Sequence, residues 1–125
     1  MMKSSLQSRP TVLVVEDEGV VRLDAAETLR EAGFTVLEAA NAEQALSVVA
    51  RGADVDVLFT DINMPGRMDG LELARRVNRL RPDVHLLLTS GKVRPAGGEI
   101  PAAGAFISKP YSPDAMTRAV SRMLS

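Results

Sequence analysis

The chain has 125 residues, a net charge of −1, a hydrophobic share of 46% and no cysteine. That length builds one domain with a real core and leaves no room for a second. The missing thiols exclude disulfides and thiolate metal sites, and the balanced charge gives no electrostatic reason to bind nucleic acid or an acidic membrane.

Residues 1–10 carry one lysine and no apolar stretch of signal-peptide length, and no run elsewhere approaches membrane-spanning length. They read as a flexible lead to a soluble, cytoplasmic domain over residues 11–125. The first apolar run, 11–15, suits a strand apolar on both faces, as in a parallel sheet covered by helices, and ends on Glu16, Asp17 and Glu18. A helix is predicted over 18–32, with Val21, Ala25, Leu29 and Ala32 on one stripe and Gly33 placed to end it. A second strand at 34–38 leads to Asn41, whose side chain can cap a helix while Gln44 closes a capping-box-like pair. That helix buries Ala45, Leu46 and Val49 and stops near Gly52. A third strand, 55–60, ends on Asp61. The helix at 70–80 buries Leu73, Val77 and Leu80 before Pro82. A fourth strand, 84–89, runs into Ser90-Gly91, and a fifth, 105–108, into Lys109-Pro110. Between them, residues 92–104 hold two prolines and three glycines where a helix is expected, so that helix is predicted to be short or distorted. The last helix opens Ser112-Pro113-Asp114, a cap, a residue suited to the first turn and an acid at the positive end of the dipole. Met116, Ala119, Val120 and Met123 form its stripe.

Alternating strands and helices predict a doubly wound α/β fold of the flavodoxin-like type, five parallel strands in the order 2-1-3-4-5. Ligands in such sheets bind beyond the carboxyl ends of the strands, where Glu16, Asp17, Asp61, Ser90 and Lys109 all fall. Gathered carboxylates repel one another by roughly 4 kcal/mol per pair at 4 Å in an effective dielectric of 20, which a cation relieves. An all-oxygen set on loops with room for water suits Mg²⁺ rather than zinc. Asp61, ending the middle strand, is the best placed nucleophile, and its product with a phosphoryl donor is an acyl phosphate. Lys109 supplies a mobile positive charge and Ser90 a hydroxyl donor for phosphoryl oxygens.

The acidic pair Glu16-Asp17, the segment Asp61-Ile62-Asn63-Met64-Pro65-Gly66, Met68-Asp69-Gly70 and Lys109-Pro110 occur in this order at fitting spacings. In these motifs the chain resembles the receiver domain of two-component response regulators over residues 11–124. The resemblance implies Asp61 as phosphoacceptor and Mg²⁺ held by Glu16, Asp17, Asp61 and the Asn63 carbonyl. It implies Ser90 and Phe106 as switch residues beside Lys109, with Thr89 the lesser option for the hydroxyl. The implied donor is a histidine kinase or histidine phosphotransfer protein, and the output goes to an unknown protein through a monomer or a phosphorylation-dependent dimer. Such a chain is not an enzyme beyond its own phosphorylation and dephosphorylation. A stand-alone regulator is the first expectation, ahead of a receiver excised from a hybrid kinase or longer regulator. Asn63 and Lys92, flanking the expected path of attacking water, are expected to tune phosphoryl lifetime.

Competing readings meet specific obstacles. An aspartyl-nucleophile phosphatase needs a second Asp two residues on, where Asn63 stands. A flavin-binding protein needs a phosphate loop where Glu16-Asp17-Glu18 stands. A pseudo-receiver acting as a constitutive binding module is opposed by the intact acids and Lys109. His85 sits within an apolar strand pattern and enters no site. Arg75, Arg76, Arg79 and Arg81 read as a solvated helix face, with Glu72 at pairing distance from the first two.

Overall fold

The computed structural model describes residues 9–92, 95–96, 98–102 and 104–125. The flexible lead proposed for residues 1–10 lies outside them except for Arg9 and Pro10, and the Pro10 carbonyl is already tied down by the Thr35 N–H at 3.0 Å. Strands β1 (Thr11–Val15), β2 (Thr35–Ala39), β3 (Val57–Asp61), β4 (His85–Ser90) and β5 (Gly104–Ser108) pair in parallel in the order β2-β1-β3-β4-β5. Helices α1 (Gly19–Glu31), α2 (Ala42–Ala50), α3 (Gly70–Leu80) and α4 (Pro113–Met123) complete the architecture. The predicted fold and strand order therefore hold.

Two apolar layers sandwich the sheet. Val12, Val14, Val57, Phe59 and Leu87 meet Ala25, Ala26 and Leu29 of α1 and Met116 and Val120 of α4. Leu13, Val15, Leu58, Leu86 and Leu88 meet Ala45 and Val49 of α2 and Leu73, Ala74 and Val77 of α3. The side-chain period of two divides each strand between these layers, which is why β1, β3 and β4 read as unbroken apolar runs.

Several boundaries differ from the sequence expectation by one or two residues. Val55 and Val84 are buried and Phe34 is partly buried against the core, yet each precedes its strand, because side-chain packing and ladder pairing need not begin at the same residue. The α1 helix starts at Gly19, with Glu18 as a cap residue that makes no side-chain cap bond. Leu80 is 53% exposed rather than buried, lying in the last turn of α3, where the helix leaves the core. Ala32 is exposed, and Val21, Leu46, Ala119 and Met123 are partly buried. The caps hold: the Asn41 side chain accepts from the Gln44 N–H at 2.8 Å, and Gln44 returns a bond to the Ala40 N–H rather than to Asn41's own. Asp69 caps α3 through the Glu72 N–H and Ser112 caps α4 through the Ala115 N–H.

Between β4 and β5 the described residues form no helix. Glu99 makes a tight turn with Ala96, its N–H donating to the Ala96 carbonyl while its carboxylate accepts from the Ala96 N–H. Val93, Arg94, Gly97 and Ala103, part of the helix expected to be irregular, lie outside the described residues.

Gly70 opens α3 against the end of β3. A Cβ there would overlap the Asp61 carbonyl oxygen and lie 2.8 Å from the Asp61 carbonyl carbon and the Ile62 Cα. Gly70 N–H donates to the Ile62 carbonyl at 3.0 Å, which pins the helix to the loop. The Gly70→Ala variant is expected to lose about 1–3 kcal/mol or more, because the obstacle is backbone and cannot rotate away. Urea denaturation checks this, and stability within about 0.5 kcal/mol of wild type would mean that the close approach relaxes freely.

Candidate functional site

Register gathers the polar strand ends. Asp61 stands opposite Thr89 and Ser90 opposite Ser108. The backbone ladder continues past the strands: Ile62 N–H donates to the Thr89 carbonyl, Lys109 N–H to the Ser90 carbonyl, and Glu16 N–H to the Ala39 carbonyl. These bonds fix the starting points of the side chains that meet above the sheet.

The centre is an acid–lysine cluster. The Lys109 ammonium lies 3.0 Å from Glu16 Oε1 and 3.1 Å from Asp61 Oδ2. Glu16 and Asp61 are buried, whereas Asp17 is exposed. Carboxylate oxygens of Glu16, Asp17 and Asp61 all lie within 4.8 Å of one another. Glu16 Oε2 accepts the Glu18 N–H at 3.2 Å and Asp61 Oδ1 accepts the Asn63 N–H at 3.1 Å. Burial, followed by the nearby Asp61 charge, pushes the Glu16 carboxyl above its ordinary range against the pull of Lys109. For Lys109, burial favours the neutral amine, but its bonds to Glu16 and Asp61 and their charges outweigh this and raise the pKa. The donor set fits a hard divalent cation: three carboxylates, one open to solvent, and no nitrogen or sulfur ligand among them.

Ser90 and Thr89 part company here. The Ser90 hydroxyl donates to Asn63 Oδ1 and accepts the Lys92 N–H at 3.1 Å. Phe106, opposite Leu88, packs on the same layer of the sheet, two register positions before Ser90. Thr89 points to the other layer, into a small cavity lined by Val14, Phe59, Asp61 and Tyr111, and its buried hydroxyl has no hydrogen-bond partner among the described residues. The Asn63 carbonyl is in the loop beyond Asp61.

Two participants went unnoticed in the sequence. Arg22 donates to the Glu16 carbonyl at 2.9 Å and reaches Glu38 at 3.3 Å, tying the acidic loop to β2. Tyr111 stacks obliquely on Phe59 with ring centroids 5.7 Å apart, its pKa raised by burial. Their signal was position alone: one turn into the first helix and directly after Lys109-Pro110. Arg76 and Arg79 of α3 form a solvated face, with Glu72 at 2.9 and 3.9 Å, whereas Arg75 adds to its Glu72 pair at 3.6 Å a bond to the Glu99 carbonyl at 3.2 Å, and Arg81 pairs with Asp83 at 3.3 Å and donates to the Ala53 carbonyl. His85 opens β4 at the far end of the strand from the cluster.

The family model for the response regulator receiver domain matches residues 12–121. Sensor kinase CckA of Brucella abortus is 35% identical over 97% of this chain and 13% of its own length. The C4-dicarboxylate transport transcriptional regulatory protein DctD of Rhizobium meliloti is 36% identical over 94% of the chain and 26% of its own. The chain thus spans a minor part of these relatives. Among solved structures, a response regulator receiver protein of Sinorhizobium medicae superposes with a TM-score of 0.86 at 28% identity, covering 96% of this chain and 97% of that one. The receiver domain of hybrid histidine kinase CckA gives 0.80 at 31% identity, covering 92% and 99%. Among the described residues no helix is long and apolar enough to cross a membrane.

The raised pKa of Glu16 has a consequence for stability. Because the folded value lies above the reference 4.5, the folded protein holds the proton over a window in which the unfolded chain has lost it. In metal-free protein, the contribution of Glu16 is therefore full below 4.5 and declines as pH rises through the raised value. Urea denaturation of wild type and Glu16→Gln in chelator should give a stability difference that moves against wild type across that rise. A difference independent of pH would remove the desolvation argument.

Proposed function

The chain belongs to the response regulator receiver domain family, a family of phosphorylation-based signalling modules, and from that premise we propose that it accepts a phosphoryl group from a phosphohistidine onto Asp61. The observation that carries this reading is the Lys109 ammonium shared between Glu16 and Asp61 beside the exposed acid Asp17. It supplies a nucleophile, a charge to neutralise the incoming oxygens and an oxygen ligand set in one place.

An Asp61 carboxylate oxygen attacks phosphorus. The phosphorus–nitrogen bond of the donor breaks, its electron pair returns to the imidazole, and a mixed anhydride of Asp61 and phosphate remains. Glu16, Asp17, Asp61 and the Asn63 carbonyl would hold Mg²⁺, which when bound supplies charge neutralisation at the phosphoryl oxygens. Lys109 exchanges its bond to Asp61 for one to a phosphoryl oxygen, carrying the event into β5. Ser90 turns its hydroxyl to the phosphoryl group, and Phe106, on the same layer, moves into the space behind it. Asn63 and Lys92 flank the approach of the water that later cleaves the anhydride. The changed surface alters protein contacts or allows onward relay of the phosphoryl group.

Intact mass after incubation with a small phosphodonor tests the chemistry. Wild type with Mg²⁺ is expected to gain one phosphoryl group, while Asp61→Asn and chelated wild type gain none; full labelling of Asp61→Asn would sink the assignment. For the coupling, Lys109→Ala is expected to leave the phosphorylated domain with the partner affinity of the unphosphorylated one. Wild-type partner binding by phosphorylated Lys109→Ala would reduce the lysine to a packing role.

A further inference from the structure

Asn63 holds two members of the site at once. Its backbone N–H donates to Asp61 Oδ1 at 3.1 Å, and its side-chain oxygen receives the Ser90 hydroxyl proton. The Lys92 N–H, at 3.1 Å, occupies a lone pair of the same hydroxyl. A serine hydroxyl has a single proton to give. While Asn63 has it, a phosphoryl oxygen on Asp61 cannot.

We infer that Asn63 is a positioning residue that latches the switch hydroxyl in the resting state, so that the phosphoryl group must take the Ser90 proton from the Asn63 amide before the switch can turn. The inference rests on the acceptor reading of Asp61 and adds to it a built-in resting bias. The latch is local: residue 63 sits two positions beyond Asp61, and Ser90 ends the adjacent strand, where Ile62 N–H to the Thr89 carbonyl keeps loop and strand together. Asn63 is exposed while Ser90 is buried, so water reaches the acceptor but not the donor of this part-buried bond, and the bias is modest. The role is also separate from any effect on attacking water, since it acts on the equilibrium between conformers and needs no hydrolysis.

Fluoroberyllate with Mg²⁺ serves as a phosphoryl probe that forms no hydrolysable anhydride, which isolates the latch from phosphoryl lifetime. Its dissociation constant is to be measured on the full chain by amide NMR for wild type, Asn63→Ala, Ser90→Ala and the double variant. Removing the competing acceptor should tighten probe binding by about two- to tenfold in the wild-type background. With Ser90→Ala already in place, the same change should alter binding by less than about twofold. Probe-free Asn63→Ala should in addition show Ser90 and Gly91 amide resonances displaced toward their probe-bound positions, which general loss of stability would not produce. An Asn63→Ala effect of equal size in both backgrounds, or no tightening in either, overturns the latch while leaving the acceptor reading intact. Absence of any saturable response in wild type overturns both.

Discussion

The position of Lys109 between Glu16 and Asp61 is the constraint around which this domain is arranged. Two buried carboxylates, with a third exposed beside them, would repel one another, and the ammonium at about 3 Å from each buried acid offsets that repulsion. The arrangement requires β1, β3 and β5 to end at the same level. Parallel strands in the order β2-β1-β3-β4-β5 provide that level, and the inter-strand bonds that run past the strand ends hold it. Breaking a partly buried ion pair by removing one partner costs more than the pair itself contributes, since the remaining charge is left desolvated. The lysine thus serves the fold of the resting domain as well as its proposed chemistry.

Much of this could be seen in the residues before the structure. Apolar runs ending in Glu16, Asp61, Ser90 and Lys109 located the sheet edge, because a run apolar on both faces implies cover on both sides and hence parallel strands. Asn41 and Ser112 announced helix starts through side-chain oxygens that accept specific backbone donors. Less legible were features set by tertiary packing. Leu80 completes a helical stripe in the sequence, yet the core ends before it does. Arg22 looks like any exposed helix residue until the fold brings the Glu16 carbonyl within 2.9 Å. The choice between Thr89 and Ser90 depends on which layer of the sheet each faces, and a shift of one residue reverses it. The Asn63 side chain joining Ser90 links the loop after β3 to the end of β4, a relation that no local pattern encodes.

The two layers of the sheet are unequal in polar content as well. On one side Ser90 and Phe106 lie along adjacent strands, with the hydroxyl held by Asn63. On the other, Thr89 has a hydroxyl with no partner among the described residues, in a cavity it lines with Phe59 and Tyr111. An unsatisfied buried hydroxyl costs of order 1–3 kcal/mol unless a water reaches it. Aromatic packing of Tyr111 on Phe59 anchors the chain to that layer just after Lys109-Pro110.

The strand that carries Phe106 and leads into Lys109 lies at the edge of the sheet and pairs with β4 alone, and its residues are only partly buried or exposed. By contrast, all five residues of β3 are buried. Burial is therefore complete in the middle of the sheet and incomplete along the strand that leads into Lys109. In the proposed switch, the strand that must adjust is thus the one with the least burial to give up.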